Sequence, residues 1–239
     1  VCVGGRFYTV ADPLRHPGKL AGTITAPIGG IRDRLRLLRL AQQVTRKPLH
    51  KLFTGPESTA IDFLHREGFS QAMITRFFVP FFGGVCLDSK IRASSRVLQY
   101  VLRMFAAGEA ALPARGMEAI PRQLAAGLDK DALRTGVRVR RVNNGGVILD
   151  DGTRLPAGAV VVAAEAPETA RLLDLPSAPA SVAETCLYFA CDRARWHSAF
   201  LMLNGEGKGP INNLSFPSRV SPAYAPAGKS LASVVVLGN

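Results

Sequence analysis

Three glycines in the stretch NGEGKGP, Gly205, Gly207 and Gly209, are the nearest this chain comes to a loop that could cradle a phosphate. Such loops work because closely spaced glycines turn backbone N–H groups inward at the start of a helix, whose dipole favours an anion. No window supplies a strict G-x-G-x-x-G, and strand-like runs (AFLMLN and INNLSF) bracket this loop where a helix should follow. A loose hairpin loop is therefore expected. Lys208 precedes Gly209 rather than Ser or Thr, so a Walker-type loop fails as well. GGR at Gly4–Arg6, inside a strand-like start, reads as a tight turn. The four histidines fall at no metal-ligand spacing, so no metal site is expected. Paired carboxylates, a Ser-His-Asp order and a Cys-His arrangement are all missing, and no catalytic residue can be named. Cys2, Cys86, Cys186 and Cys191 make no C-x-x-C pair, and CLYFAC puts Cys186 and Cys191 on opposite faces of a strand. They read as buried free thiols in a reducing compartment.

Charge is the next signal. Lys and Arg total 30 against 18 Asp and Glu, a formal charge of +12, and the arginines are scattered along the chain. Nucleic-acid binders concentrate basic residues among stacking aromatics, and only 7% of residues here are aromatic, so nucleic acid is not an expected partner. One cluster is denser, IRDRLRLLRLAQQVTRKPLHK at residues 31–51. Ile31, Leu35, Leu38 and Val44 fall near helical spacing, with Arg32, Arg36, Arg39, Arg46, Lys47 and Lys51 largely elsewhere around the helix. Two readings stand: a solvated face, or a surface that approaches anionic lipid. No apolar run reaches the roughly 18 residues of a membrane-spanning helix, and no signal peptide is recognisable. The expected location is cytoplasmic, with residues 31–51 offering peripheral membrane contact.

The elements that must position any site fall into two textures. Helical patterns dominate from about Ile31 to Ala107: PESTAIDFLHREGF with a cap at Ser58, SQAMITRFFVPFFGG broken by Pro80 and Gly83–Gly84, and SSRVLQYVLRMFAAG from a Ser start to Gly108. In the last of these, Val97, Tyr100, Val101, Met104 and Phe105 make an apolar stripe. A short helix in GMEAIPRQLAAGL follows, then strands in VRVRRV, VILDD and AVVVAA joined by the turns NNGG and DGTRLPAG. After a Pro/Ser/Ala-rich connector come four strand-like runs, TCLYFACD, AFLMLN, INNLSF and SLASVVVL. Helices early and antiparallel-looking strands late argue an α+β fold with a mixed or antiparallel sheet.

ALPARGMEAIPRQLAAGL, then VRVRRV, then VILDDGTRLPAGAVVVAAEAPETARLL resembles the flavin-containing amine oxidase and phytoene desaturase superfamily. VADPLRHP, FFVPFFGGVCLD, SSRVLQYVLRMFAAGEAALPARGM and SPAYAPAGKSLASV look like its bacterial phytoene-desaturase-like branch. The resemblance implies an FAD-dependent oxidoreductase. It implies a fragment too, since the family's phosphate loop lies upstream of this region and a second flavin motif downstream. A substrate domain (1–110 and 179–239) would surround an inserted segment of a Rossmann-like FAD-binding domain (111–178). Three residues carry over as cofactor-binding. Val139 matches the strand position whose backbone meets the adenine, and Ala163 the small residue where a larger side chain would collide with the cofactor. Gly116 permits close backbone approach, with Arg115 standing where the family usually has a first glycine.

The implied chemistry is hydride transfer from a hydrophobic, polyene- or carotenoid-like small molecule to flavin, the cofactor carrying the hard step. Phe77, Phe78, Phe81, Phe82, Tyr100 and Phe105 could line an apolar pocket or simply fill an aromatic core. Two rivals remain, a flavin amine oxidase and a non-catalytic binding protein that kept the substrate domain.

Overall fold

Two adjacent glycines start the chain's structure, because a two-residue hairpin turn of the primed type needs left-handed backbone at both positions. Gly4 and Gly5 have φ of 62° and 70° and join β1 (Cys2–Val3) to β2 (Arg6–Phe7), as the tight-turn reading requires. The computed structural model describes residues 1–11, 15–178, 180–192 and 199–238. Part of the expected DPLRHPG turn, residues 12–14, lies outside them.

Helices follow: α1 (Leu20–Thr25), α2 (Ile31–Arg46), α3 (Leu49–Thr54) and α4 (Ala60–Arg66). The cap of α4 is Thr59, whose hydroxyl accepts from the Asp62 N–H, and not Ser58, whose hydroxyl reaches Ser95 instead. α5 (Gln71–Met73) continues through a π turn at Ile74–Phe78 into α6 (Val79–Cys86). The expected break at Pro80 does not occur. In a regular α-helix the proline ring would strike the carbonyl of Arg76, and the wider π turn just before it changes that spacing. Gly83 and Gly84 stay helical, and Leu87 in the left-handed conformation ends the run. Ser94 and Gly108 bound α7 (Ser95–Ala107) as the sequence predicts.

The core of this part joins Val44, Leu52, Leu64, Phe78, Phe82, Ile91 and Leu98, all essentially sealed from solvent. Helix α2 contributes Leu40 and Val44, with Leu37 half-buried beside them. Of the expected apolar stripe only Val44 is core. Ile31, Leu35 and Leu38 are 61%, 49% and 40% exposed, because α2 carries apolar residues on two faces and the core took the other. In α7 likewise Leu98 and Leu102 are buried, while Val97, Met104 and Phe105 face outward.

Residues 118–182 form a compact unit of their own. It holds α8 (Ala119–Ala125), the antiparallel strands β3 (Val139–Asn143), β4 (Gly146–Leu149) and β5 (Arg154–Pro156), and α9 (Ala166–Leu173). Gly146 is obligatory there, since a Cβ would lie 2.1 Å from the Leu155 carbonyl oxygen. The expected strand AVVVAA does not form: residues 157–164 join no strand ladder, and Val161 is 91% exposed. A solid valine run is the mark of a central strand buried on both faces, and this three-stranded sheet provides no neighbours for it.

The remaining strands are β6 (Glu184–Cys191), β7 (Met202–Leu203), β8 (Ile211–Ser215) and β9 (Ser230–Leu237), antiparallel in the order β6-β9-β8-β7. They belong to one compact unit with residues 1–117. All four expected runs are strands, so the architecture is α+β with antiparallel sheets. Leu203 on β7 reaches the helical core, and a register shift between Ile211 and Asn213 turns Asn212 toward α6, where its amide donates to the Pro80 carbonyl.

Candidate functional site

The glycine loop at 204–210 is the β7–β8 hairpin connection. Gly205 is fixed by packing, since a Cβ there would lie 2.8 Å from the Cys2 carbonyl oxygen and 3.0 Å from that of Arg76. Glu206 accepts from the Gly5 N–H at 2.7 Å, pinning the loop onto the β1–β2 turn. A cleft of about 270 Å³ lies between that turn, Thr75–Arg76 and Gly205–Gly207. The loop is a structural joint, with no helix behind it to hold a phosphate.

Apolar space lies elsewhere in the same unit. A cavity of about 140 Å³ is lined by Phe7, Tyr8, Phe77, Phe200, Leu201 and Met202, among others, with no carboxylate or histidine among the described residues of its wall. Phe77 stacks on Phe81 at 5.6 Å with rings 9° apart, and Phe81 meets Phe105 edge-on at 5.3 Å. Of the six aromatics named from the sequence, Phe78 and Phe82 are pure core, Phe77 lines the cavity, and Tyr100 packs on Phe53. Phe7, Tyr8 and Phe200 were missed. They lie far from Phe77 in sequence; Phe7 sits in the two-residue strand β2 and Tyr8 and Phe200 in connecting segments, so no periodicity marks them.

Gly116 lies in the first unit, Val139 and Ala163 in the second. Gly116 has φ of 97°, and a Cβ added there would meet nothing within 4 Å, so its open side admits close approach. Its turn is held by Tyr224, whose hydroxyl donates to the Pro113 carbonyl at 2.9 Å, and by Ser221, which donates to that of Ala114 at 2.8 Å. Ala163 is exposed. Val139 opens β3 opposite Leu149, and its carbonyl accepts from Arg171 of α9 at 3.0 Å. Arg171 also donates to the Arg140 carbonyl and is gripped by Glu168, whose carboxyl the guanidinium holds below its ordinary value. A carbonyl has two lone pairs, so Val139 keeps one free.

Arginine has a repeated task here that sequence reasoning did not find. Arg34 donates to the carbonyls of Thr23, Ala26 and Gly29, and Arg103 to those of Val44, Thr45 and Lys47 at the end of α2. Arg15 does the same for Phe105, Ala106 and Gly108 at the end of α7, while Arg76 takes Pro27 and Arg96 takes Gly55. Part of the +12 charge is thus spent on helix ends, whose last carbonyls lack intrahelical partners.

All four cysteines are free, and they are half-buried rather than buried. Among the described residues no group of His, Cys, Asp and Glu is arranged to hold a metal, and no helix is long and apolar enough to cross a membrane. The family model for flavin containing amine oxidoreductase matches residues 4–239, nearly the whole chain and both units. The chain belongs to that family. No curated protein matches it. This flavin-containing amine oxidoreductase chain is similar in fold to an oxidoreductase from Methanosarcina mazei (TM-score 0.69, 18% identity, 88% of this chain and 53% of that one). It is similar to a Pyrococcus furiosus protein (0.65, 16%, 84% and 57%) and to reduced UDP-galactopyranose mutase (0.58, 12%, 86% and 51%). It spans a little over half the length of each.

Proposed function

We propose that this chain supplies the substrate-holding part, and one inserted segment of the cofactor-holding part, of an FAD-dependent oxidoreductase. The observation that carries the reading is one flavin-enzyme family model matching continuously through both compact units. Residues 1–110 with 179–239 hold substrate in this reading, and residues 111–178 contribute to the flavin domain. Bound flavin would accept a hydride from substrate carbon.

Three residues of this chain fit the cofactor. Gly116 and Ala163 leave clear space for a flat group, and Val139 keeps a backbone lone pair for a base edge. Arg171 holds the Val139 strand in place, a positioning role. The aromatic side chains of Phe77 and Phe200 in the cavity wall favour a hydrophobic substrate of the polyene type. At about 140 Å³ the cavity suits one end of such a molecule rather than all of it. An amine oxidase is the second reading, favoured by the family's description.

The test is anaerobic mixing of the full-length, FAD-loaded protein that contains this chain with conjugated polyenes and, separately, with primary amines. Loss of the yellow oxidised-flavin band with polyenes alone is expected. Bleaching by amines alone would replace this reading with the second.

A further inference from the structure

Core packing accounts for one side of α2 and leaves the other without a purpose. The helix turns Asp33, Leu40 and Val44 into the interior. At about 100° per residue, Ile31, Leu35 and Leu38 fall in a narrow strip on the opposite side, all exposed. Arg32, Arg39 and Arg46 form a row along one flank of that strip. None of these three makes an ion pair or hydrogen bond among the described residues. The single acid of the helix, Asp33, faces inward and is fully engaged by Gly30 and Ser70. Among the described residues, the outer face therefore carries positive charge and branched apolar groups with nothing to neutralise or cover them.

That combination selects its occupant. Water disfavours the apolar ridge, and a second copy of this face would set arginines against arginines. An anionic lipid surface satisfies both features at once. A helix lying in the interface buries its apolar ridge at the acyl boundary while its basic flank stays at the level of the headgroups, and guanidinium forks match phosphate oxygens bidentately. Helix α2 spans about 24 Å over its 16 residues, ample for three ridge and three flank residues to engage together.

We propose that α2 docks the protein in the plane of an anionic membrane, with Ile31, Leu35 and Leu38 at the acyl boundary and Arg32, Arg39 and Arg46 on lipid phosphates. The proposal is independent of the flavin reading, since it uses no residue assigned to cofactor or substrate.

Co-sedimentation with phosphatidylcholine vesicles containing phosphatidylserine, against phosphatidylcholine alone, tests it on the purified protein. Binding to the anionic vesicles, weakened by salt, is expected. Each basic residue near such a surface contributes about fivefold, so Arg32→Gln, Arg39→Gln and Arg46→Gln together should weaken partitioning roughly a hundredfold. Leu35→Ser with Leu38→Ser should weaken it at least about tenfold. All five side chains lie outside the core, so the melting temperature of each variant should stay put and exclude unfolding as the cause. Equal binding to neutral vesicles, no binding to either, or undiminished binding by both variants overturns the proposal; the last two outcomes reassign the face to another protein surface.

Discussion

Asp33 is 2% exposed, yet it is charged, and replacing it with alanine is the most informative single change in the helical unit. Its carboxylate accepts from the Gly30 N–H at 2.8 Å, the Ser70 N–H at 2.8 Å and the Ser70 hydroxyl at 2.7 Å, with Arg36 3.9 Å away. It thereby ties the start of α2 to the start of α5. Asp33→Ala leaves two N–H donors without a partner; the Ser70 hydroxyl can rotate to find another. Each stranded donor costs about 1–3 kcal/mol, so a loss of about 3 kcal/mol is expected. Burial pushes the carboxyl up, but the donors from Ser70 and Gly30, with Arg36, outweigh it and hold the group below its ordinary value. A value depressed on folding stabilises fully above the unfolded value of about 3.9 and loses that stabilisation as pH falls through the folded value. The gap between wild type and Asp33→Ala should therefore be constant at neutral pH and narrow below about pH 4. Urea unfolding followed by circular dichroism, repeated across pH, measures both. A loss under about 1 kcal/mol, within the range of an ordinary surface change, or a gap that widens in acid would refute the argument.

Arg103→Met removes the clamp on the last carbonyls of α2 and should cost about 1–2 kcal/mol in the same urea assay; Arg103→Lys should fail to restore it, because one ammonium cannot reproduce the planar fork. Ala163→Leu in the flavin-loaded protein should lower flavin content while leaving the apo-protein melting temperature within error, since Ala163 is exposed and nothing in this unit packs on it tightly. Full flavin occupancy in a well-folded Ala163→Leu protein would show that this residue does not face the cofactor.

Local chemistry was legible in the sequence wherever neighbours in the chain decide it. The Gly4–Gly5 turn, the Ser94 and Gly108 helix ends and the existence of β6 and β9 as strands follow from turn residues, caps and alternation, whereas the pairing of β6 with β9, across some forty residues of chain, does not. Choices between competing faces were not. Helix α2 carries apolar residues on both sides, and only the tertiary core decides that Leu40 goes in and Leu35 stays out. Val160–Val162 reads as a strand because its composition suits one, but a strand needs partners that composition cannot supply. The candidate cavity was half legible. Phe77 announces itself in an aromatic run, whereas Phe7 and Phe200 join it only through folding. The arginine clamps were invisible, because their partners are backbone carbonyls and leave no mark in the sequence.

The discontinuity of the first unit has a consequence for how the chain is made. The bond between Gly5 and Glu206 joins residues 201 positions apart, and the core slot filled by Leu203 belongs to helices synthesised long before it. At ribosomal rates of about 5–20 residues per second, that partner emerges roughly 10–40 s after the first hairpin. Residues 118–182, whose strand pairings are all local, can fold during the wait. The helices around Phe78 and Phe82 cannot finish theirs. During that interval they are the segment of the nascent polypeptide most in need of a chaperone.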